Sequence, residues 1–358
     1  MRGIAILLVI YLHSYFRLWP EVTEGERVSA GVSHLFAHGA VPVFLFISGF
    51  LLGRDRSPSF GAFAWGRLRR IALPGLVWMV LALGYEVWFT GALSADLIER
   101  FIFFDIEGQF YFLLVLAVLT TAGYPLLHAS ARSVGIATAL AFLAGLFVTS
   151  WYERQEIAGD LAVFAYRDPS IWAFFFLFGL FACRFRGDIS WGRHIEAGAA
   201  AAMLATLCFY LWQGEHGGYP TSYFGVAVFL FSSLGLVVYP ALLRTLMRAR
   251  SGRLVLAPFA LLAPYAFGIF LVHKPYFLGW LSSRMLETSF EDSWSRLMLA
   301  NFVVGAAGAI AFVVLADLLF RRPSALLLGV DRPPAERDMD TETPGDTGRA
   351  IPPRGLAG

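Results

Sequence analysis

Charge is scarce in this chain: 15% of its 358 residues are Asp, Glu, Lys or Arg, against 58% hydrophobic residues and a mean hydropathy of +0.64. So little charge excludes a water-soluble domain, which could not hide that much apolar surface. Cysteine is nearly absent. Cys183 and Cys208 have no CxxC spacing and lie in or beside apolar stretches, so neither a disulfide framework nor a zinc site is indicated, and both read as packing residues. Of 28 basic residues only Lys274 is a lysine. That bias is compositional and carries nothing about phosphate binding. No phosphate-cradling glycine loop and no nucleic-acid module is present, and no second globular domain is indicated.

Apolar runs of membrane-spanning length fill the space instead. They are predicted as helices at residues 3–20, 32–52, 71–90, 109–127, 134–152, 170–183, 194–212, 222–243, 258–280 and 296–320, since ~20 apolar helical residues cross ~30 Å of hydrocarbon. The sixth run is short and has room to extend back toward Leu161. The fold class expected is all-α: a polytopic transmembrane bundle of about ten helices. Lysine and arginine collect on the cytoplasmic side of membrane proteins. One side carries Arg2, Arg54, Arg56, Arg67, Arg69, Arg70, Arg132, Arg184, Arg186, Arg193, Arg244, Arg248, Arg250, Arg253, Arg321 and Arg322. The other side carries Glu21, Glu24, Glu26, Asp96, Glu99, Asp105, Glu107, Glu153, Glu156, Asp160, Asp168, Glu287, Glu291 and Asp292. An even count with that alternation places both termini in the cytoplasm. The first apolar segment lacks a small-residue cleavage site and is expected to remain as a working helix. Residues 1–322 are expected to form the membrane domain. Residues 323–358, rich in proline, glycine and charge, are expected to be a disordered cytoplasmic tail.

Ionisable groups inside a bilayer cost several kcal/mol on insertion scales, at roughly 2.5–3.5 each, and mark function. His13, Glu86, His273 and Lys274 qualify, with Arg2 and Arg17 near the ends of the first helix. Arg2 and His13 are eleven residues apart, almost three helical turns, so they share a face about 16 Å apart. A guanidinium at the surface suits a phosphate, and a neutral imidazole deeper in suits a general base. An anchor arginine and a helix–helix hydrogen bond fit the same spacing. His34 and His38 stand four apart but lack an evident third ligand, so no metal is expected. The tryptophans at helix ends, such as Trp88, Trp151 and Trp212, suit the membrane interface.

Residues 2–13, running from Arg2 through Gly3 and Ile4 to His13, resemble the opening helix of the membrane acyltransferase-3 family: an arginine, ten residues, a histidine. Val41-Pro42-Val43-Phe44-Leu45-Phe46-Ile47-Ser48-Gly49-Phe50 resembles its second helix. Phe63 with Arg67, Arg70, Ile71 and Pro74 resembles its R-x-x-R loop, and Tyr265 through His273 its late Y-x-x-Y-L-x-H-like helix. Two departures stand out: only Met1 precedes the arginine, and position 270 carries Phe where many relatives have Tyr.

The resemblance implies a membrane O-acyltransferase taking an acyl group, most often acetyl, from cytoplasmic acyl-coenzyme A to a hydroxyl of a carbohydrate or glycosylated acceptor, in a plasma (bacterial inner) membrane. Acyl-coenzyme A enters as co-substrate and no permanently bound cofactor is implied. His13 takes the catalytic role, while Arg2, Arg67 and Arg70 take the coenzyme A phosphates. His273, Glu86, Gln109 and Tyr111 are candidates on the acceptor side. Arg69, projecting ~100° from its neighbours on an ideal helix, would serve as a control. The rival from another class is a polysaccharide exporter without acyl transfer.

Overall fold

The computed structural model describes residues 1–14, 23–55, 59–155, 160–185, 190–219, 222–274, 277–278 and 294–330. Among these the regular elements are all helical. In chain order they are α1 (Arg2–Ser14), α2 (Glu24–His38), α3 (Ala40–Leu52), α4 (Phe60–Arg67), α5 (Leu73–Thr90), α6 (Ala95–Ile102), α7 (Tyr111–Gly123) and α8 (Ala131–Glu153). Then follow α9 (Asp160–Arg167), α10 (Pro169–Phe185), α11 (Arg193–Gly217), α12 (Val226–Arg248), α13 (Arg250–Leu262), α14 (Ala266–Val272), α15 (Trp294–Leu319) and α16 (Arg321–Leu327).

Nine stretches among the described residues are long and apolar enough to cross a membrane, and they account for nine of the ten expected runs. The remaining one, α1, has 13 described residues, about 20 Å of helix. Its expected continuation, with Arg17, lies outside the described residues. The expected second span begins early, at Glu24, because Thr23 and Glu26 form a reciprocal cap, with N–H to oxygen distances of 3.3 and 3.1 Å. The expected sixth span runs Leu161–Phe185, interrupted at Asp168.

The third span also starts early, at Phe60, where Ser59 caps α4. Between α4 and α5 lies a π-helical turn, Leu68–Ala72. Pro74, just inside α5, has no N–H to return to the Arg70 carbonyl and its ring would crowd it, and the wider turn relieves both problems. The R-x-x-R sequence is therefore not on a regular α-helix.

Glycine sets the crossing of α3 and α10. A methyl group on Gly49 of α3 would overlap the Phe176 carbonyl of α10, and one on Gly179 would overlap the Phe46 carbonyl in return. Backbones this close need the absence of Cβ on both sides, as in small-residue packing of membrane helices. Against this pair stands α1, enclosed by α2, α3, α13, α14 and α15, with Ala5, Ile6, Val9 and Ile10 buried. The helix expected to carry the chemistry is thus an interior one.

At the acidic end of the bundle, basic groups are tied down locally. Arg167 pairs with Asp105 at 2.8 Å and Arg100 donates to the Ile106 carbonyl at 3.0 Å. Beyond α15 the packing continues to Val330, and residues 331–358 lie outside the described residues.

Candidate active site

His13 lies near the end of α1 and His273 directly follows α14, and they meet although 260 residues apart: His13 Nδ1 is 2.8 Å from His273 Nε2. His273 is fully buried while His13 is partly buried. The other ring nitrogen, His273 Nδ1, is 2.8 Å from the Phe270 carbonyl oxygen. A carbonyl only accepts, so Nδ1 carries the proton and donates, which leaves Nε2 of a neutral His273 as a lone pair. That lone pair accepts from His13 Nδ1–H. His13 Nε2 is consequently the unprotonated nitrogen, the form a general base requires. A second imidazole and a carbonyl here do what a carboxylate does for histidine in hydrolase triads: they fix tautomer and orientation.

The carbonyl at the end of this relay is shared. Gln109 Nε2 donates to Phe270 O at 3.3 Å and to Leu271 O at 3.5 Å, both long, from a side chain that is 1% exposed. Gln109 thus supports His273 from behind through the same oxygen. In the variant Gln109→Leu the relay loses that support, and turnover is expected to fall by about five- to tenfold, the worth of one net hydrogen bond. Steady-state kinetics should show the loss in kcat with KM unchanged; a change confined to KM would assign Gln109 to substrate contact instead.

Next to His273, Lys274 pairs with Glu107 at 3.4 Å, both side chains less than one-fifth exposed. Burial raises the Glu107 carboxyl above the ordinary glutamate value and Lys274 pulls it back, with the charge of Glu86 adding to the rise. The pair therefore loses its negative partner at a higher pH than one built on an exposed glutamate would. Glu86, partly buried on α5, faces the same acidic rim. Tyr111 stands apart from it, packed between Tyr166 and Trp172 at ring separations of 5.2 and 5.8 Å.

On the other side of His13, toward the arginine-rich end, lies a cavity of about 780 Å³. Its wall includes Arg2, Arg67, Arg69 and Arg70, and on its buried side Val9, Phe112 and Phe270. Val9 is one helical turn below His13. The volume suits a sizeable small-molecule ligand. Arg67 is held by Asp55 at 3.2 Å and lies over the Phe63 ring at 5.2 Å. Arg69 belongs to this wall too, against the expectation that it points elsewhere. The ~100° spacing of an ideal α-helix does not hold in the π turn that carries it. It is no clean control.

His34 and His38 are in ring contact at 4.3 Å, and His38 Nδ1 meets the His34 carbonyl at 2.8 Å. No third His, Cys, Asp or Glu joins them among the described residues. The sequence reading missed Asp55 and Asp317. Each had a signal: Asp55 is the one acid amid the basic 54–70 segment, and Asp317 the one acid inside the last span.

A family model described as an acyltransferase domain matches residues 1–321 of the chain. No curated protein and no solved structure matches it.

Proposed function

Since the chain belongs to the membrane acyltransferase-3 family, we propose that it takes an acyl group from acyl-coenzyme A in the arginine-lined cavity and places it on a hydroxyl of a cell-surface carbohydrate or glycosylated acceptor. The observation that carries this reading is the position of the His13–His273 pair one turn beyond the inner end of that cavity. The arginine-rich end faces the cytoplasm, where the donor is made, in the plasma (bacterial inner) membrane. The acidic rim around Glu86, Glu107 and Lys274 faces the acceptor.

Arg2, Arg67 and Arg70 grip the donor phosphates by charge-assisted hydrogen bonds. The pantetheine arm then runs along α1, whose Arg2-to-His13 rise of about 16 Å suits a long flexible thioester. His13 Nε2 takes the proton of the acceptor hydroxyl as its oxygen attacks the thioester carbon. The C–S bond breaks, the sulfur leaves with the electron pair, and the imidazolium returns the proton to it. An ester and free coenzyme A result. While His13 is protonated, its Nδ1–H remains on His273 Nε2, so the ring does not turn away between the two proton transfers.

The purified chain with acetyl-coenzyme A and glycan acceptors should release free thiol, and surface glycan from a deletion strain should lose the corresponding acyl mass. Failure to release thiol with acetyl, succinyl and longer acyl donors overturns the reading. Arg67→Ala and Arg70→Ala should each raise KM for the donor about tenfold while kcat stays within twofold, the pattern of lost ground-state binding. Arg69→Ala should behave like them rather than like wild type.

A further inference from the structure

After α15 the chain turns at Phe320 into α16 and a short segment ending at Val330. This strap is held at several points. Ser324 Oγ donates to Asp317 Oδ1 at 2.6 Å, and Asp317 is a buried acid on α15. Trp78 Nε1, from α5, donates to the Leu327 carbonyl at 2.8 Å. Leu328 and Val330 are buried, at 3% and 7% exposure. Gly329 adopts φ +58°, and a methyl group there would stand 3.1 Å from the Arg70 carbonyl oxygen and hard against the Phe267 ring. Only glycine meets both demands, a left-handed turn and contact with the R-x-x-R segment. Ala325, Leu326, Gly329 and Val330 accordingly line the same cavity as the arginines.

We propose that this strap is a wall of the substrate site and bears on the nucleotide end of the acyl-coenzyme A donor, an inference that rests on the donor reading of the cavity. Its level in the molecule decides which end. The strap touches Arg70, at the mouth, whereas the thioester must reach the far end, beyond Val9 and Phe270, to meet His13. What remains at the mouth is the part of the donor carrying phosphates and base. The arginines account for the phosphates. The strap offers apolar surface, and the Trp65 indole, 59% exposed, lines the same cavity. Apolar and aromatic walls suit the face of a purine, which stacks on aromatic side chains.

The test uses the full chain in detergent, with coenzyme A binding by isothermal titration calorimetry and turnover of acetyl-coenzyme A and acetyl-pantetheine. Ala325→Trp and Leu326→Trp fill the wall, and each should weaken coenzyme A binding by about tenfold and raise KM for acetyl-coenzyme A alike. Acetyl-pantetheine, lacking the nucleotide, should turn over within about twofold of wild type. Leu326→Ala only shortens a partly exposed side chain, so it carries the test without a bulky insertion and should weaken binding about threefold. Leu319→Ala, on the exposed face of α15, should match wild type. Unchanged coenzyme A affinity in the Leu326 variants overturns the strap's role while leaving the donor reading intact. So does an equal loss with acetyl-pantetheine. A wild-type chain that does not bind coenzyme A removes the donor reading, and the strap proposal with it.

Discussion

Alanine at His13 should lower ester formation by at least ~10³-fold, combining the usual 10²–10⁴ worth of a general base with loss of the group that returns the proton to the leaving sulfur. In free energy that is about 4 kcal/mol of transition-state stabilisation. The arginine-lined cavity ends one turn below His13, so its arginines remain and, on the proposed reading, the affinity for coenzyme A should stay within about twofold, measured by calorimetry. The pattern is lost kcat with retained donor binding, which unfolding would not produce. His273 Nε2 is left without its donor, a cost of about 1–3 kcal/mol that a thermal-denaturation scan registers separately. Mass spectrometry of surface glycan from cells carrying the variant should find acceptor present and unacylated. Acceptor missing from the outer face, with thiol release intact, would instead favour the exporter.

Spacing along one helix was enough to place Arg2 and His13. The Arg2-x₁₀-His13 pattern puts one residue at the mouth of the cavity and the other beyond its inner end, because α1 is a regular helix and its geometry follows from counting residues. Counting fails where the helix is not α-helical. Pro74 forces a π turn under Arg69 and Arg70, and the 100° step that separates Arg69 from its neighbours on paper does not apply. A proline four residues after a motif was the available warning.

Contacts between distant parts of the chain were not legible. Nothing local in Gln109 announces that it reaches the Phe270 carbonyl, 161 residues away. Nor does the composition of 323–330 reveal its packing, since proline, serine and glycine read as tail, while the leucines between them are the residues that dock. Pattern reading weighs average polarity; the strap is held by two directional hydrogen bonds, from Ser324 and to Leu327, and by one left-handed glycine. The charge alternation of the loops likewise gives an orientation but misses the arginines at the acidic end. There Arg100 and Arg167 are spent on carbonyls and on Asp105, where they hold the segment around residues 100–106 in place.

His273 separates a relay from a mere contact. Its alanine variant removes the acceptor of the His13 Nδ1 proton and frees the His13 ring to adopt the wrong tautomer, and turnover should fall ~10²-fold, within the span seen for general acid–base groups. Since His273 reaches the reaction through His13, it is a positioning residue, and a loss of rate alone does not establish that role. Glutamine supplies the distinction. Its side chain is long enough to set an oxygen near the place of Nε2, and an amide oxygen accepts from His13 Nδ1–H as the imidazole does. His273→Gln should therefore recover about tenfold over His273→Ala while remaining below wild type, because an amide cannot share the proton when His13 is charged. Leucine, apolar and of similar bulk, fills the volume but accepts nothing, and His273→Leu should match alanine. Equal activity of the glutamine and leucine variants would show that only packing matters at this position. Donor KM is expected to stay near wild type in all three, since the ring stands beyond the inner end of the cavity. A rate that follows the acceptor atom, at constant donor binding, is the behaviour that the 2.8 Å contact between the two histidines requires.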